Sequence, residues 1–139
     1  MIKLKIITPE KVVYEDEVDQ ITLPTIAGEI TILPNHRSYI SALKLGEAIL
    51  KKGEKEIDLA ISGGFIEFHN NELTVLADEA ERAEEIDLEK AEEARQKAED
   101  LKSQKISADD TDYAHVAASL ERELNRIKVA KRYMKRKGL

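Results

Sequence analysis

The sequence has no cysteine and no tryptophan, only three prolines, and six aromatic residues among 139. Without cysteine the chain can form no disulfide, no thiolate metal site and no cysteine nucleophile. No apolar run approaches the ~20 residues of a membrane-spanning helix. The opening segment carries Lys3 and Lys5 where a secretory leader needs an uninterrupted apolar stretch. These absences predict a cytoplasmic protein that meets a membrane only through a partner or a surface.

Acidic residues outnumber basic ones by 28 to 22, a formal net charge of −6, which argues against a nucleic-acid-binding protein. The charge is unevenly distributed. Residues 78–104 hold 11 acidic and 5 basic side chains, whereas residues 105–139 hold 9 basic and 5 acidic. Two antiparallel helices of opposite charge would attract each other. Two solvated helix faces remain an equal alternative, because an exposed ion pair contributes only ~0–1 kcal/mol.

The spacing of apolar residues changes near Asp78. Before it, apolar residues mostly alternate, as in residues 57–61 and 73–77, and this is the period of half-buried strands. After it, they are three and four apart among Ala, Glu, Lys and Arg, which is the period of amphipathic helices. The sequence therefore predicts an α+β chain, with a flattened β-sandwich or barrel over residues 1–84 and an antiparallel α-helical hairpin over residues 85–139.

Turn-forming residues divide the β segment into short candidate strands, at residues 3–8, 11–14, 18–23, 29–33, 47–51, 56–61, 65–69 and 72–77. Asn70 and Asn71 predict a tight hairpin, because Asn tolerates positive φ. The pair Gly63-Gly64 predicts a bulge or a close backbone approach, since it lacks the spacing and the lysine of a phosphate-binding loop. The predicted core residues are Ile2, Leu4, Ile6, Ile21, Leu23, Ile30, Ile32, Leu50, Ile57, Leu59, Ile61, Phe65, Leu73 and Val75.

The β segment shows no sign of catalysis. Its histidines, His36 and His69, and the later His115 are far apart and lack metal-ligand spacing. We therefore predict no catalytic residue and no metal site. Residues 28–36 form a candidate edge strand closed by Pro34, with Glu29 and His36 near its two ends, and taken alone this segment is best interpreted as a solvated strand and turn.

The helical segment begins with Asp87 as a predicted N-cap, with Ile86 placed to contact Ala91 as in a hydrophobic staple. The apolar stripe of the first helix is mostly alanine: Leu88, Ala91, Ala94, Ala98 and Leu101. Thr111 or Asp112 is the candidate cap of a second helix, whose stripe is Tyr113, Val116, Leu120, Leu124, Ile127 and Met134. Because alanine burial stabilises little, a partner or ligand could shift such a hairpin between packed and extended states.

Together these segments resemble the ε subunit of the bacterial F-type rotary ATP synthase. The resemblance covers essentially the whole chain. It rests on the order and spacing of residues 7–9 with 13–14, residues 28–29 with 32–36, and residues 62–67, 77–87 and 125–130.

The resemblance implies a non-catalytic subunit of the central stalk, peripheral to the cytoplasmic face of the cell membrane. Such a subunit joins the γ subunit to the membrane rotor ring of c subunits, and so couples ion-driven rotation to ATP synthesis. Glu29 and His36 would then face the polar loops of the rotor ring.

The resemblance also implies that the hairpin regulates the enzyme. Folded, it permits ATP hydrolysis; extended into the catalytic head of α and β subunits, it inhibits. Basic residues of the second helix would meet acidic segments of those subunits, and the candidates for this inhibitory contact are Arg122, Arg126, Lys131 and Arg132.

Some bacterial members bind ATP in the folded hairpin through an Ile-Asp-x-x-Arg-Ala motif. The corresponding positions of this chain are Glu81, Ile86, Asp87, Lys90, Ala91, Lys97, Arg122 and Arg126. Lysine stands at 90 and 97 where ATP-binding members have arginine, and it keeps the charge but loses the planar fork that grips phosphate. The resemblance therefore implies no required cofactor, and ATP at most as a weakly bound regulatory ligand.

Two other interpretations compete with a stalk subunit. The chain could be a free-standing ATP-sensing two-helix module on a β-sandwich, in which case it would have no reason to bind γ. It could also be a small β-sandwich enzyme acting on phosphorylated ligands, although it lacks a nucleophile, a metal set and a phosphate loop.

Overall fold

The computed structural model describes residues 1–104 and 111–138, with the side chains of residues 111 and 112 left undescribed. The chain divides into two compact units, Met1–Ala83 and Glu84–Leu139. The first holds eight strands and the second holds two helices, after a 3₁₀ turn at Ala83–Glu85 that spans their boundary. The predicted α+β class, a β-sandwich followed by a helical hairpin, is confirmed.

The strands are β1 (Ile2–Ile7), β2 (Val12–Val18), β3 (Gln20–Thr25), β4 (Gly28–Ile32), β5 (Tyr39–Leu43), β6 (Gly46–Lys52), β7 (Lys55–His69) and β8 (Glu72–Arg82). Their order in the sheet is β2-β1-β8-β7-β5-β3-β4, and β6 pairs with both β3 and β7. Only β1 and β8 run parallel among the paired strands of the described residues. Sequence reasoning missed β5 and divided β7 into two strands.

Strand β7 changes its inward phase at Gly63-Gly64. Leu59 and Ile61 are buried before the glycine pair, and Ile66 and Phe68 are buried after it. The first half of β7 pairs with β6 and the second half with β5, so the strand serves both layers of the sandwich. The prediction that Phe65 lies in the core is wrong: its side chain is 60% exposed, because the phase change turns it outward.

The glycine pair permits a close approach of two backbones. Gly64 has φ +116°, and a Cβ there would overlap the Leu76 carbonyl oxygen and lie 2.8 Å from the Ala77 Cα. A Cβ at Gly63, where φ is +68°, would lie 2.6 Å from the Asp78 carboxylate. The predicted close approach within a strand is confirmed.

The core is mostly aliphatic, as the shortage of aromatic residues requires. Its largest fully buried side chains are Phe68, Ile2, Leu4, Ile6, Ile21, Leu23, Ile32, Leu50, Leu59, Ile61, Ile66 and Leu73. Ile30 and Ile57, also predicted in the core, are partly buried and pack against it. The turn at Asn70 and Asn71 has φ of 49° and 60° and joins a hairpin in which His69 opposes Glu72, so the predicted tight turn is confirmed.

Polar contacts join β2 to the far side of the sheet. The Lys52 Nζ donates to Asp16 Oδ2 at 2.7 Å, and the Gly53 amide donates to Asp19 Oδ2 at 2.6 Å. The hydrogen bond from Lys52 lowers the pKa of the Asp16 carboxyl, and the same bond raises the pKa of Lys52. The strand that begins the order β2-β1-β8 is thereby tied to β6, and the sheet closes on itself.

The second unit is a pair of helices, α1 (Leu88–Gln104) and α2 (Thr111–Arg136). The Lys90 amide donates to Asp87 Oδ1 at 3.1 Å, which confirms the predicted cap of α1. The candidate caps Thr111 and Asp112 lie outside the described side chains. Within residues 1–104 and 111–138, no helix is long and apolar enough to cross a membrane.

The helices contact each other through small and branched residues. Ala91 and Ala98 of α1 and Leu120 and Ile127 of α2 are buried. The Lys131 Nζ lies 3.6 Å from Glu92 Oε1, so the end of α2 lies beside the start of α1 and the pair is antiparallel. Leu124, predicted in the same stripe, is 47% exposed.

Replacing Gly64 by alanine should destabilise the sandwich by ~3 kcal/mol or more, since the new Cβ meets backbone atoms that cannot yield. The matched control is Gly53→Ala, where φ is +60° but the space is open, so only the backbone penalty of ~1–2 kcal/mol applies. Urea unfolding of both variants measures the difference. If both variants lose the same free energy of unfolding, the backbone around Gly64 accommodates a Cβ and the close approach does not require glycine.

Candidate functional site

The structure separates Glu29 and His36, the two predicted rotor-ring residues. Glu29 is exposed and opposes Pro24 beside the β3–β4 turn. His36 follows the other end of β4. The segment of β4 from Glu29 to Ile32 alone is ~10 Å long, so the two side chains lie at opposite ends of one strand. They do not form one cluster.

The turn beside Glu29 is built by Thr25, which is fully buried. Its Oγ1 donates to the Gly28 carbonyl at 2.6 Å and accepts from the Ala27 amide at 3.2 Å. The turn presents Ile26 outward, with 64% of its surface exposed. Glu29 therefore sits at a rigid tip, next to an exposed apolar side chain.

His36 makes mostly internal contacts. Its ring packs edge-on against Tyr39 at 6.0 Å and Phe68 at 5.9 Å between ring centroids. Its Nδ1 lies 2.7 Å from the Arg37 carbonyl oxygen. The ring is half-buried, and these contacts fix the loop that follows β4.

The loop that contains His36 is held by the β7–β8 turn. The Asn35 amide donates to Asn71 Oδ1 at 2.6 Å, and Asn71 Nδ2 donates back to Asn35 Oδ1 at 3.0 Å. Ser38 Oγ lies 2.8 Å from His69 Nδ1. We call Asn35, Asn71, Ser38 and His69 the loop clamp. Sequence reasoning found both turns but not their pairing, because the partners are more than thirty residues apart.

The predicted ATP-binding residues do not all lie in one unit. Glu81 belongs to the last strand of the first unit, where it opposes Ala60 of β7, whereas the other positions belong to the helical unit. Asp87 uses one carboxylate oxygen for the cap of α1. Lys90 and Lys97 are exposed and two turns apart on the same helix, so they lie ~10 Å apart along its axis.

Two arginine side chains of the hairpin form ion pairs with carboxylates. Arg126 donates to Glu123 at 2.8 Å. Arg95, which sequence reasoning did not single out, donates to Glu99 at 2.7 Å and to Glu92 at 3.1 Å. These acids raise the pKa of the Arg95 guanidinium. Their spacing of three and four residues is the sequence signal for such pairs.

A phosphate group arriving at Arg126 would have to compete with Glu123. Because the antiparallel pairing puts Lys131 beside Glu92, residue 126 lies at about the axial level of residue 97. Lys97 and Arg126 are thus the two predicted cations that share a level of the hairpin. Lys90 lies about two turns away from that level.

The predicted inhibitory residues follow α2 toward its end. Arg122 and Arg126 are half-buried, and Lys131 and Arg132 are exposed. Lys131 is 62% exposed and its contact with Glu92 is long. Among residues 1–104 and 111–138, no group of three or more His, Asp or Glu side chains is placed to hold a metal ion.

Two family models match the chain in succession. "ATP synthase, Delta/Epsilon chain, beta-sandwich domain" matches residues 1–83, and "ATP synthase, Delta/Epsilon chain, long alpha-helix domain" matches residues 84–131. The chain belongs to this family of ATP synthase subunits. The boundary between the two matches is the one at which the structure divides.

Individual relatives agree over nearly the full length. The ATP synthase epsilon chain of Desulforamulus reducens is 44% identical over 128 residues, which cover 92% of this chain and 96% of the relative. A chain of the Euglena gracilis mitochondrial ATP synthase, solved with OSCP, F1 and c-ring, is 29% identical with a TM-score of 0.72, covering 86% of this chain and 75% of that one. A chain of the Tetrahymena thermophila enzyme shares the fold at 16% identity, with a TM-score of 0.61 and 95% of each chain covered.

Replacing Asn71 by glycine should release the loop of residues 33–38, because the side chain that holds Asn35 is lost while the positive φ of the turn stays acceptable. Asn70→Gly changes the neighbouring residue of the same turn and is the control. Amide hydrogen exchange at residues 35–38 measures the effect, and we expect about tenfold faster exchange in Asn71→Gly only. Equal exchange rates in the two variants would show that the loop is ordered without the hydrogen bonds from Asn71.

Proposed function

We propose that this chain is the ε subunit of the central stalk of an F-type ATP synthase, with no catalytic activity of its own. The observation that carries the proposal is the match of both family domains, in order, onto the sandwich and the helical unit. The sandwich joins the γ subunit and the c ring, so that ion-driven rotation reaches the catalytic α and β subunits. The chain lies at the cytoplasmic face of the cell membrane, bound through the complex.

The helical unit regulates hydrolysis in this proposal. Its extension carries the basic side chains of α2 to acidic segments of the catalytic subunits. Lys131 is an exposed candidate, and its long contact with Glu92 stabilises the folded hairpin little. Glu29 acts at the rotor ring from its rigid turn, whereas His36 acts by shaping its loop.

Co-expression with γ separates this proposal from a free-standing ATP sensor. A stalk subunit should purify with γ as a complex of one copy each, measured by light scattering after size-exclusion chromatography. If the chain does not bind γ, the stalk proposal is wrong and the interpretation as a free-standing ATP sensor remains.

Neutralising the exposed basic pair, as Lys131→Gln with Arg132→Gln, should raise ATP hydrolysis by the reconstituted enzyme several-fold, about the effect of losing two contacts of ~0.5–1 kcal/mol. Lys135→Gln with Lys137→Gln removes the same charge from the end of the chain and is the control. Steady-state hydrolysis at low ionic strength is the measurement. If the two double variants hydrolyse ATP at the same rate, Lys131 and Arg132 do not form the inhibitory contact.

ATP is proposed as a weak regulatory ligand of the hairpin, held by lysines where the family motif has arginine. Lys90→Arg should tighten ATP binding by about tenfold or more, because it restores a bidentate hydrogen bond to phosphate. Lys102→Arg makes the same change elsewhere on α1 and should do nothing. Amide chemical shifts during an ATP titration, from micromolar to about ten millimolar, report both affinity and location. If Lys90→Arg binds ATP no more tightly than wild type, the lysine at position 90 is not the reason for weak binding.

A further inference from the structure

A groove opens at the end of the sandwich where β2 passes the turn between β6 and β7. Its volume is about 1030 Å³. Among the described residues β2 pairs with β1 alone, and side chains tie it to β6, as in the 2.7 Å bond from Lys52 to Asp16. The groove therefore lies between strands that share no backbone ladder.

Two inward-facing side chains lie together in the groove. Tyr14 opposes the buried Ile6, and Arg82 opposes the buried Leu59, and directly paired residues point to the same face of a sheet. The Arg82 Cζ lies 5.4 Å from the centroid of the Tyr14 ring, and its Nη2 donates to the Val13 carbonyl oxygen at 3.4 Å. These contacts hold the guanidinium beside the phenol.

The Tyr14 hydroxyl makes no hydrogen bond within residues 1–104 and 111–138, although the residue is only 7% exposed. A buried tyrosine hydroxyl normally has a partner. Burial and the charge of Asp16 raise the pKa of this hydroxyl, more than Lys52 and Arg82 lower it, so at neutral pH it keeps its proton and can donate. Because Tyr14 lines the groove, an acceptor bound there would supply the missing partner.

Two lysines bring positive charge to the same end of the sandwich. Lys52 directly opposes Lys55, two residues beyond the inward-facing pair of Leu50 and Ile57. Like charges directly opposite each other destabilise a sheet. Asp16 neutralises Lys52, but in the described part of the chain Lys55 forms no ion pair. An anion in the groove would relieve this repulsion.

The other acidic side chains of the groove lie at its rim. Glu15 follows the inward-facing Tyr14 along β2 and so faces outward. Asp19 Oδ2 accepts from the Gly53 amide at 2.6 Å, and Glu54 is an exposed residue of the β6–β7 turn. These carboxylates would repel a long polyanion but leave the inward-facing cations to a small one.

We propose that this groove binds a small tetrahedral oxyanion, inorganic phosphate, between Lys55, Arg82 and the Tyr14 hydroxyl. Ammonium and guanidinium groups can only donate hydrogen bonds, and phosphate oxygens accept them. The bound anion would join β2 to β7 and β8, where side chains now make the connection. This inference does not depend on the proposed stalk function, because all residues of the groove belong to the first unit.

A phosphate titration of the full chain tests the site, with sodium chloride keeping the ionic strength constant. Backbone amide chemical shifts are the measurement. Phosphate should shift the amides of residues 14–16, 52–55 and 82 until they saturate, with a dissociation constant of about 1–10 mM. Shifts that do not saturate, or equal shifts in a series with chloride alone, would overturn the proposal.

Substitutions locate the binding site. Tyr14→Phe removes the hydroxyl but keeps the buried ring, and Lys55→Gln removes one charge at an exposed position. Each should weaken phosphate binding about fivefold or more, while the melting temperature without phosphate stays near wild type. Lys51→Gln removes the same charge from an outward-facing position of β6 and should leave binding unchanged. If both Tyr14→Phe and Lys55→Gln bind phosphate as wild type does, the anion binds elsewhere and the proposal is wrong.

A parallel titration with ADP distinguishes free phosphate from the phosphoryl group of a nucleotide. We expect ADP to shift the amides of the groove less than phosphate does, because the carboxylates at the rim repel the longer polyanion. If ADP binds at these residues more tightly than phosphate, a nucleotide is the ligand and the assignment to free phosphate is overturned.

Discussion

The close approach of the Gly64 backbone to Leu76 is the constraint on which the rest of the sandwich depends. At that level β7 and β8 pass together from one inward phase to the other, so that Ile61 and Ile66 both reach the core. A strand with a Cβ at residue 64 could not make that passage. The same passage turns Phe65 and Leu76 outward as neighbours. One pair of glycines therefore both completes the core and places Phe65 beside Leu76 on the outer face of the sheet.

The helical unit is stabilised in a different way. Three of its buried side chains are alanines, Ala91, Ala98 and Ala130, and the other buried side chains of α2 are Leu120, Ile127 and Val129. Burying a Leu or Ile is worth roughly 1.5–3 kcal/mol, and an Ala far less, while isolated helices of this length are marginal in water. The ion pair between the helices at Lys131 and Glu92 adds little, because Lys131 is largely exposed. We therefore expect the hairpin to be the less stable unit, which suits the change of conformation proposed for it.

Local patterns in the sequence predicted what depends on neighbours along the chain. The change of apolar period, the turn at Asn70 and the cap at Asp87 all belong to this class. The phase change of β7 was not predicted. Apolar residues alternate regularly on each side of the glycine pair, and only the pairing with the neighbouring strands shows that the buried face changes there. Strand β5 was missed since Ser41 and Ala42 weaken its alternation. The hydrogen bonds between Asn35 and Asn71, and the engagement of Arg126 by Glu123, depend on tertiary pairing that no local pattern contains.

Two exposed regions of the sandwich differ in physical kind. The apolar side chains on the outer face of the sheet, such as Phe65 and Leu76, offer burial that salt does not screen, whereas the turn at Glu29 offers a charge that is screened beyond ~8–10 Å. A subunit that must stay on a rotating stalk needs the first kind of contact for its permanent neighbour. A charged tip suits a contact with polar loops that requires orientation more than affinity. In the proposed function, this division lets the helices respond to the catalytic subunits without loosening the attachment, because attachment and regulation use separate units of the chain.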